Sequence, residues 1–501
     1  MASNAIKISC AVVIFLNIDI ISDFLKAQII ILLFNIVKYK LAINLFLIGK
    51  NSLQIEIFYG KITSIKFLLI IFSLKIMRYL ALTNSDRQAM LQEIGVDSVN
   101  QLYCDVDDKF LLKQPIAGLP HHMGEQQVDA LISSFAKKNR SASEGNFFLG
   151  AGCYNHHIPA TVDHLIQRSE FLTSYTPYQP EISQGTLATI FQFQSIISLL
   201  TGMQVANASM YDGATSLAES LLMALRLKPG KKKFALANNI HPDYLEVCHT
   251  YLNLNEASFT QQISDDCAGV VVQYPDFYGN IDDLQAIKQQ CEKAGALLIV
   301  VVNEVLALGL LPAPEMADIV VGEASSLGVG LNFGGPLLGF FACKKEFVRQ
   351  MPGRICGSTV DADGKQGFVL TLNAREQHIR REKATSNICS NQGLCATAFT
   401  IHVSLLGEIG FKKLAMLNHS KACFAFDELS KIKGLKILNQ NFFNEFTVEF
   451  SQNASEINQK LLAQNIIGGY VEGNKMILAF TELTTDDDIK FLATQLQKIL
   501  Q

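Results

Sequence analysis

Two tyrosines, two prolines and two amide side chains are crowded into one short stretch of this 501-residue sequence, Tyr175-Thr-Pro-Tyr-Gln-Pro-Glu-Ile-Ser-Gln-Gly185. Proline fixes the backbone, which lowers the entropic cost of holding Tyr175, Tyr178, Gln179 and Gln184 in place. A rigid polar turn that leads into a helix suits the recognition of a small polar or anionic group. The alternative is a packed loop whose tyrosine hydroxyls bind the backbone.

A second polar cluster is Arg375-Glu-Gln-His-Ile-Arg-Arg-Glu-Lys-Ala-Thr-Ser-Asn387. Charged residues on a helix usually form a solvated face. Here, however, three arginines, a histidine and a lysine lead into an uncharged loop, and arginine is the natural bidentate partner of a carboxylate. The cluster therefore indicates an anion site or a subunit interface.

Two glycine-containing segments have compositions found in phosphate or nucleotide sites. Asn207-Ala-Ser-Met-Tyr-Asp-Gly213 runs into an expected helix, whose first backbone amides suit a phosphate, although many helices begin this way. The cluster at 328–335 does not fit G-x-G-x-x-G and opens no helix, so we reject a nicotinamide-binding fingerprint.

The elements that must position these residues follow from the apolar pattern. From about residue 150, expected helices alternate with continuous apolar strands, which predicts a mainly parallel sheet covered on both faces. The helices are predicted at 84–94, 181–200, 214–227 and 281–294. The strands are predicted at 268–273, 296–302, 318–321 and 337–342. Asn84 or Ser85 is the expected cap of the first helix, and Gly95 its expected end.

The last hundred residues mix strands and helices in a different rhythm. Helices are predicted at 411–429, 455–464 and 486–500, and strands at 435–438, 445–450 and 475–480. We therefore expect a helical arm at 77–149, a large α/β domain at 150–400 and a smaller α/β domain at 401–501.

Residues 1–76 differ from the rest, since they are crowded with Ile, Leu, Phe, Asn and Lys and contain no proline. Their apolar runs at 8–18, 27–37 and 67–74 fall short of the roughly 20 residues of a bilayer span. Two interpretations stay open: Met77 is the true start, or the segment is a membrane-associating leader. We favour the first and expect no membrane span.

The whole-chain composition argues against several other classes of protein. The formal net charge is -4, and no block of basic residues predicts nucleic-acid binding. The eleven cysteines are scattered without a C-x-x-C pair, which argues against a disulfide framework and a zinc site. We therefore expect a cytoplasmic protein without a bound metal.

Taken together, these segments resemble the P-protein of the glycine cleavage system, in particular its N-terminal half, which many bacteria make as a separate chain. The resemblance runs from about Asn84 to the C-terminus. Its motifs are “YTPYQPEISQG” at 175–185, “LTGM” at 200–203, “ANAS” at 206–209, “MPGR” at 351–354 and “REQHIRREKATSNICSNQ” at 375–392.

The resemblance implies the fold of pyridoxal-phosphate-dependent transferases of the aspartate aminotransferase type. It implies an enzyme that decarboxylates glycine with pyridoxal phosphate as electron sink and passes the aminomethyl group to the lipoyl arm (lipoamide) of the H-protein. The site residues carried over are Tyr175, Tyr178, Gln179, Gln184 and Gly185 from the turn, and Arg375, His378, Arg380, Lys383 and Asn387 from the arginine-rich motif.

One residue that such an enzyme needs is missing. Pyridoxal enzymes hold the cofactor on a lysine, which in this fold falls at 324–335, yet no lysine lies between Lys293 and Lys344. Glu304 stands roughly where fused eukaryotic-type chains of the family have Asp, the residue that pairs with the pyridine nitrogen. We therefore expect no cofactor-binding residue in this chain and a second P-protein subunit that carries pyridoxal phosphate.

Three functions stay open on the sequence. The chain completes the site of a lysine-bearing partner, or it is a scaffold that stabilises the partner and docks the lipoyl protein. An independent pyridoxal enzyme is the third, and the missing lysine argues against it.

Overall fold

The structure, a computed structural model, describes residues 41–47, 53–59, 82–120, 122–172 and 175–501. The chain divides into two compact units, residues 1–123 and 124–501. The predicted apolar runs at 8–18, 27–37 and 67–74 lie outside the described residues.

The first unit contains two antiparallel strands, β1 (Leu41–Leu47) and β2 (Leu53–Tyr59), and the helix α1 (Asn84–Ile94). Thr83 caps α1, one residue before the predicted position, because its hydroxyl accepts the N–H of Asp86 while Asp86 accepts that of Thr83. Gly95 ends the helix in the left-handed conformation, as predicted.

The second unit begins with the strands of the large sheet, one short strand outside that sheet, and the helices between them. In chain order they are α2 (Glu125–Ala136), β3 (Asn146–Phe147), α3 (Ala160–Ile166), α4 (Ser169–Leu172), α5 (Gln184–Thr201), β4 (Val205–Ala206), α6 (Gly213–Leu227), β5 (Lys233–Leu236), α7 (Pro242–Asn253), β6 (Ser258–Thr260), β7 (Cys267–Gln273), α8 (Leu284–Ala294), β8 (Leu297–Val302), β9 (Ile319–Glu323) and β10 (Gly339–Cys343).

Seven of these strands form one sheet in the order β4-β10-β9-β8-β7-β5-β6. The pairs from β9 to β6 run parallel, which confirms the mainly parallel sheet. The last predicted strand, β10, instead runs antiparallel to both of its neighbours. Apolar cores lie on the two faces, so β7 and β8 are buried throughout. The fold is therefore the predicted α/β class.

Three helices begin three or more residues from the predicted position. Asp283 caps α8, which therefore starts at Leu284 and not at residue 281. Pro180–Ile182 forms a separate 3-10 turn, so α5 starts at Gln184 and not at residue 181. After the hairpin of β11 (Ile355–Val360) and β12 (Gln366–Thr371) and the short helix α9 (Gln377–Arg380), helix α10 (Gly393–Leu429) starts well before residue 411. It kinks at Gly407, whose φ of 57° favours glycine.

The remaining elements are β13 (Leu435–Ile437), β14 (Glu445–Phe450), α11 (Ala454–Ala463), β15 (Ile466–Ile467), β16 (Tyr470–Glu472), β17 (Lys475–Ala479) and α12 (Asp486–Leu500). β13, β14, β17 and β16 form an antiparallel sheet with its own apolar core. Among the described residues, only α10 is long and apolar enough to span a bilayer, and half of its most apolar window is buried in the fold, as in a core helix.

Candidate functional site

A cleft of about 460 Å³ opens at the carboxyl ends of the central strands. Asn303 follows β8, while Glu323 ends β9 and Ser325 follows it, and all three line the cleft. Ligands of parallel α/β sheets bind at this edge, because the backbone amides of the following loops and helices point there. The cleft is therefore where a small ligand of this fold is expected.

The lining of this cleft supplies no amine for a pyridoxal cofactor. Its one cationic side chain is Arg140, and the described lining contains no lysine. Lys344, the next lysine along the chain, does not line the cleft, and its ammonium pairs with Asp318 at 2.5 Å. The covalent link that this class of cofactor needs therefore has no donor here.

Glu304, the residue in the predicted acidic position, is buried and fully engaged by the protein. Its Oε1 accepts the N–H of Leu306 at 2.8 Å and the hydroxyl of Ser326 at 3.0 Å. Its Oε2 lies 3.1 Å from Nε2 of His156, whose Nδ1 lies 2.9 Å from Glu482. The Glu304 carboxylate thus pairs with the imidazole of His156. It is therefore not available to pair with the pyridine nitrogen of a cofactor.

This histidine lies between two carboxylates. Burial alone lowers the pKa of His156, but Glu304 and Glu482 raise it to about 10, so the imidazole is charged at neutral pH. For the carboxyl group of Glu482 the effects are reversed. Burial raises its pKa, but the hydrogen bond with His156 lowers it to about 2.

The helix start proposed as a phosphate site is also occupied by the protein itself. Asp212 accepts the N–H of Thr215 at 2.7 Å, and Glu323 accepts the N–H of Gly213 at 3.0 Å. Burial raises the pKa of Glu323, although its hydrogen bonds from the backbone and from Ser325 lower it. The residues present therefore do not fit pyridoxal phosphate in this chain, because the amides of Gly213 and Thr215 at this helix start are already bound by carboxylates.

The two polar motifs found in the sequence meet at a third residue, Arg354. Its side chain is 2% exposed. The guanidinium donates from Nη2 to the phenol of Tyr178 at 2.8 Å, and its Nε lies 3.3 Å from Glu376. The ring of His378 lies 5.4 Å from the ring of Tyr178, edge to face. Turn and arginine-rich motif thus share one surface.

Two of the predicted site residues hold these segments in place. The guanidinium of Arg375 donates to the carbonyls of Leu372, Met351 and Gly353. The amide of Gln184 exchanges hydrogen bonds with the backbone of Phe368 and donates to the carbonyl of Pro180. Both side chains are therefore positioning groups.

The other predicted site residues are exposed on the described surface, and Tyr175 is 89% exposed. They are Gln179, Gly185, Arg380, Lys383 and Asn387. Sequence reasoning missed the roles of Arg354 and His156. Arg354 stands in the “MPGR” motif, which was a usable signal, whereas nothing local marks His156.

The sheet order and the cleft at its carboxyl edge define the class first: a pyridoxal-phosphate-dependent enzyme fold of the aspartate aminotransferase type. A solved apo structure of mouse CSAD, 14% identical over 77% of this chain and 90% of its own, has a TM-score of 0.58, which shows the fold alone. A solved glycine decarboxylase (P-protein) of the glycine cleavage system, in inhibitor-bound form, has a TM-score of 0.79 at 36% identity. The match spans 85% of this chain and 100% of the chain in that structure.

Sequence relatives narrow the class to one family. A sequence model described as glycine cleavage system P-protein matches residues 77–496. Proteins named probable glycine dehydrogenase (decarboxylating) subunit 1 are 50% identical in Sphingopyxis alaskensis (85% of this chain, 100% of the relative) and in Caulobacter vibrioides (84% and 99%). The chain belongs to the glycine cleavage system P-protein family.

Proposed function

We propose that this chain is subunit 1 of a glycine decarboxylase and acts with a second, unlike subunit that supplies the cofactor lysine. The substrate is glycine, and the acceptor of the aminomethyl group is the lipoyl arm of the H-protein. We place the complex in the cytoplasm, as a heterotetramer with two copies of each subunit.

One observation carries the proposal. A fold built for pyridoxal phosphate has, at the carboxyl ends of β8 and β9, a cleft whose described lining contains no lysine. The names of the relatives support it, since a subunit 1 implies a second subunit.

Pyridoxal phosphate, held by the second subunit, supplies the electron sink for loss of carbon dioxide from glycine. What this chain brings is a shaped polar surface. Gln184 and Arg375 fix the two segments, and the buried charge of Arg354 orients the phenol of Tyr178 beside His378. A preoriented surface of this kind suits a site completed across a subunit interface.

The competing function is a scaffold that only stabilises the partner and docks the lipoyl protein. Substitution of Arg375 cannot separate the two, because Arg375 holds backbone carbonyls and its loss disturbs the fold. His378, with a side chain 40% exposed, is the better probe. Lost turnover in an intact complex of the His378→Ala variant supports a catalytic contribution, and unchanged turnover supports the scaffold.

The test of the main proposal uses the full chain, alone and mixed with the second subunit. We would measure covalently bound pyridoxal phosphate by absorbance, and glycine decarboxylation with lipoylated H-protein. We expect neither signal from this chain alone and both on mixing. Cofactor attachment and turnover by this chain alone would refute the split-site proposal.

A further inference from the structure

The carboxylate of Glu323 gathers backbone N–H donors from three separate segments. Oε2 accepts from Gly213, the first residue of α6, at 3.0 Å. Oε1 accepts from Ser325 in the turn after β9 at 3.1 Å, and from Leu338 just before β10 at 2.7 Å. The residue is only 7% exposed, so these bonds replace most of its hydration.

These donors form an anion-binding cradle by their geometry. A helix N-terminus presents N–H groups and a positive dipole end, and at the carboxyl edge of a parallel sheet it is a typical phosphate position. Two carboxylate oxygens on such donors take the places of two phosphate oxygens. Asp212 adds a second negative charge at the same helix end, on the N–H of Thr215.

The side chain of Glu323 also lines the cleft, so the position it fills is continuous with the space where a ligand would lie. In the cleft, the N–H groups that could bind a phosphate already donate to Glu323. The carboxylates of Glu323 and Asp212 lie at the same helix start. The carboxylates would repel the phosphate, or the phosphate would have to displace the buried carboxylate of Glu323 from its three hydrogen bonds. Both effects disfavour phosphate binding.

We infer that Glu323 is a built-in substitute for a bound phosphate, which closes this cleft to phosphate and to phosphorylated cofactors. The inference goes beyond the missing lysine, because it excludes noncovalent binding as well. A lysine introduced at 324–335 would not by itself restore cofactor binding.

The experiment compares the full chain with its Glu323→Ala variant, using inorganic phosphate, pyridoxal phosphate and unphosphorylated pyridoxal as probes. Removal of the carboxylate exposes three donors to the cleft. We expect saturating phosphate to raise the melting temperature of the variant by roughly 2–5 °C and to leave the wild type unchanged. In equilibrium dialysis only the variant should retain pyridoxal phosphate, and neither protein should retain pyridoxal.

Asp276→Ala is the matched control. Asp276 is also buried and accepts the backbone N–H groups of Tyr278 and Asn280, but it does not line the cleft. Its variant should gain no phosphate response. A folded Glu323→Ala variant that ignores phosphate, or a wild type that binds it saturably, would overturn the inference.

Should Glu323→Ala not fold, crystals of the wild type and of Glu323→Gln soaked in phosphate decide the matter. In the wild type we expect the carboxylate at Gly213 and no phosphate. In Glu323→Gln the single amide oxygen cannot accept from the donors on both sides, which weakens the competition with phosphate. Phosphate density at the amide of Gly213 in the wild type would refute the inference. That result would leave the split-site proposal standing, because the latter is tested by dependence on the second subunit.

Discussion

Nη2 of Arg354 donates a 2.8 Å hydrogen bond to the phenol oxygen of Tyr178, and the guanidinium lies 5.2 Å from the centre of the same ring. The two residues are 176 positions apart in the sequence. Their contact joins the proline-rich turn to the segment before the arginine-rich motif, so a half-exposed tyrosine is anchored on a buried charge.

The first prediction concerns this contact. Tyr178→Phe removes an acceptor of a buried guanidinium while keeping the ring, and we expect the free energy of unfolding to fall by about 1–2 kcal/mol. Urea denaturation followed by circular dichroism measures it. Tyr175→Phe is the control, since Tyr175 is 89% exposed, and should change stability by less than about 0.5 kcal/mol. Equal effects at both positions would contradict the anchoring role of the bond.

The second prediction assigns Arg375 a structural role. A lysine cannot reproduce the planar fork that serves the carbonyls of Leu372, Met351 and Gly353. Arg375→Lys should therefore lower the free energy of unfolding by roughly 2–4 kcal/mol. The exposed neighbour Arg380, changed to Lys, should stay within about 0.5 kcal/mol of the wild type. A stable Arg375→Lys protein would show that these carbonyls need no guanidinium.

The third prediction concerns the buried imidazole between Glu304 and Glu482, at 3.1 and 2.9 Å. His156→Leu leaves two carboxylates buried without their cation, which costs about 3–5 kcal/mol of unfolding free energy. Thermal and urea denaturation measure the loss. His164→Leu replaces an exposed histidine on α3 and serves as the control. A loss below about 1 kcal/mol at His156 would mean that the imidazole carries no charge there.

The fourth prediction is the pH dependence that follows from this triad. The pKa of His156 rises from an ordinary 6.5 to about 10 in the folded protein. Because the folded state holds the proton more tightly than the unfolded chain, the contribution is complete below pH 6.5 and disappears as the pH approaches 10. The urea midpoint should fall progressively across this window, and His156→Leu should flatten the fall. An identical pH profile in both proteins would contradict the assignment.

Much of the fold could be predicted from local pattern. The continuous apolar runs of β7 and β8 predict buried strands, since both faces of such strands are covered. β5 was missed because its four residues begin with the exposed Lys233, and α7 because it buries only two residues, Cys248 and Leu252. The antiparallel direction of β10 was not predicted, because a continuous apolar run indicates a buried strand but does not specify its direction relative to its neighbours.

Of the candidate site, the sequence by itself determined which groups are absent and which motifs are present. A lysine missing between Lys293 and Lys344 is a matter of composition, and no folding can supply it. The tyrosine turn and the arginine-rich motif are likewise visible as unusual local chemistry.

Only the tertiary structure decided how those groups are used. Glu323 and Gly213 are 110 residues apart, yet their contact decides whether the start of α6 is available to an anion. In the sequence Arg375 resembles an anion-binding residue, but in the fold its guanidinium donates hydrogen bonds to backbone carbonyls. The physical reason is the same in each case: a buried donor or acceptor must find a partner, and which partner it finds is set by distant segments brought together by packing.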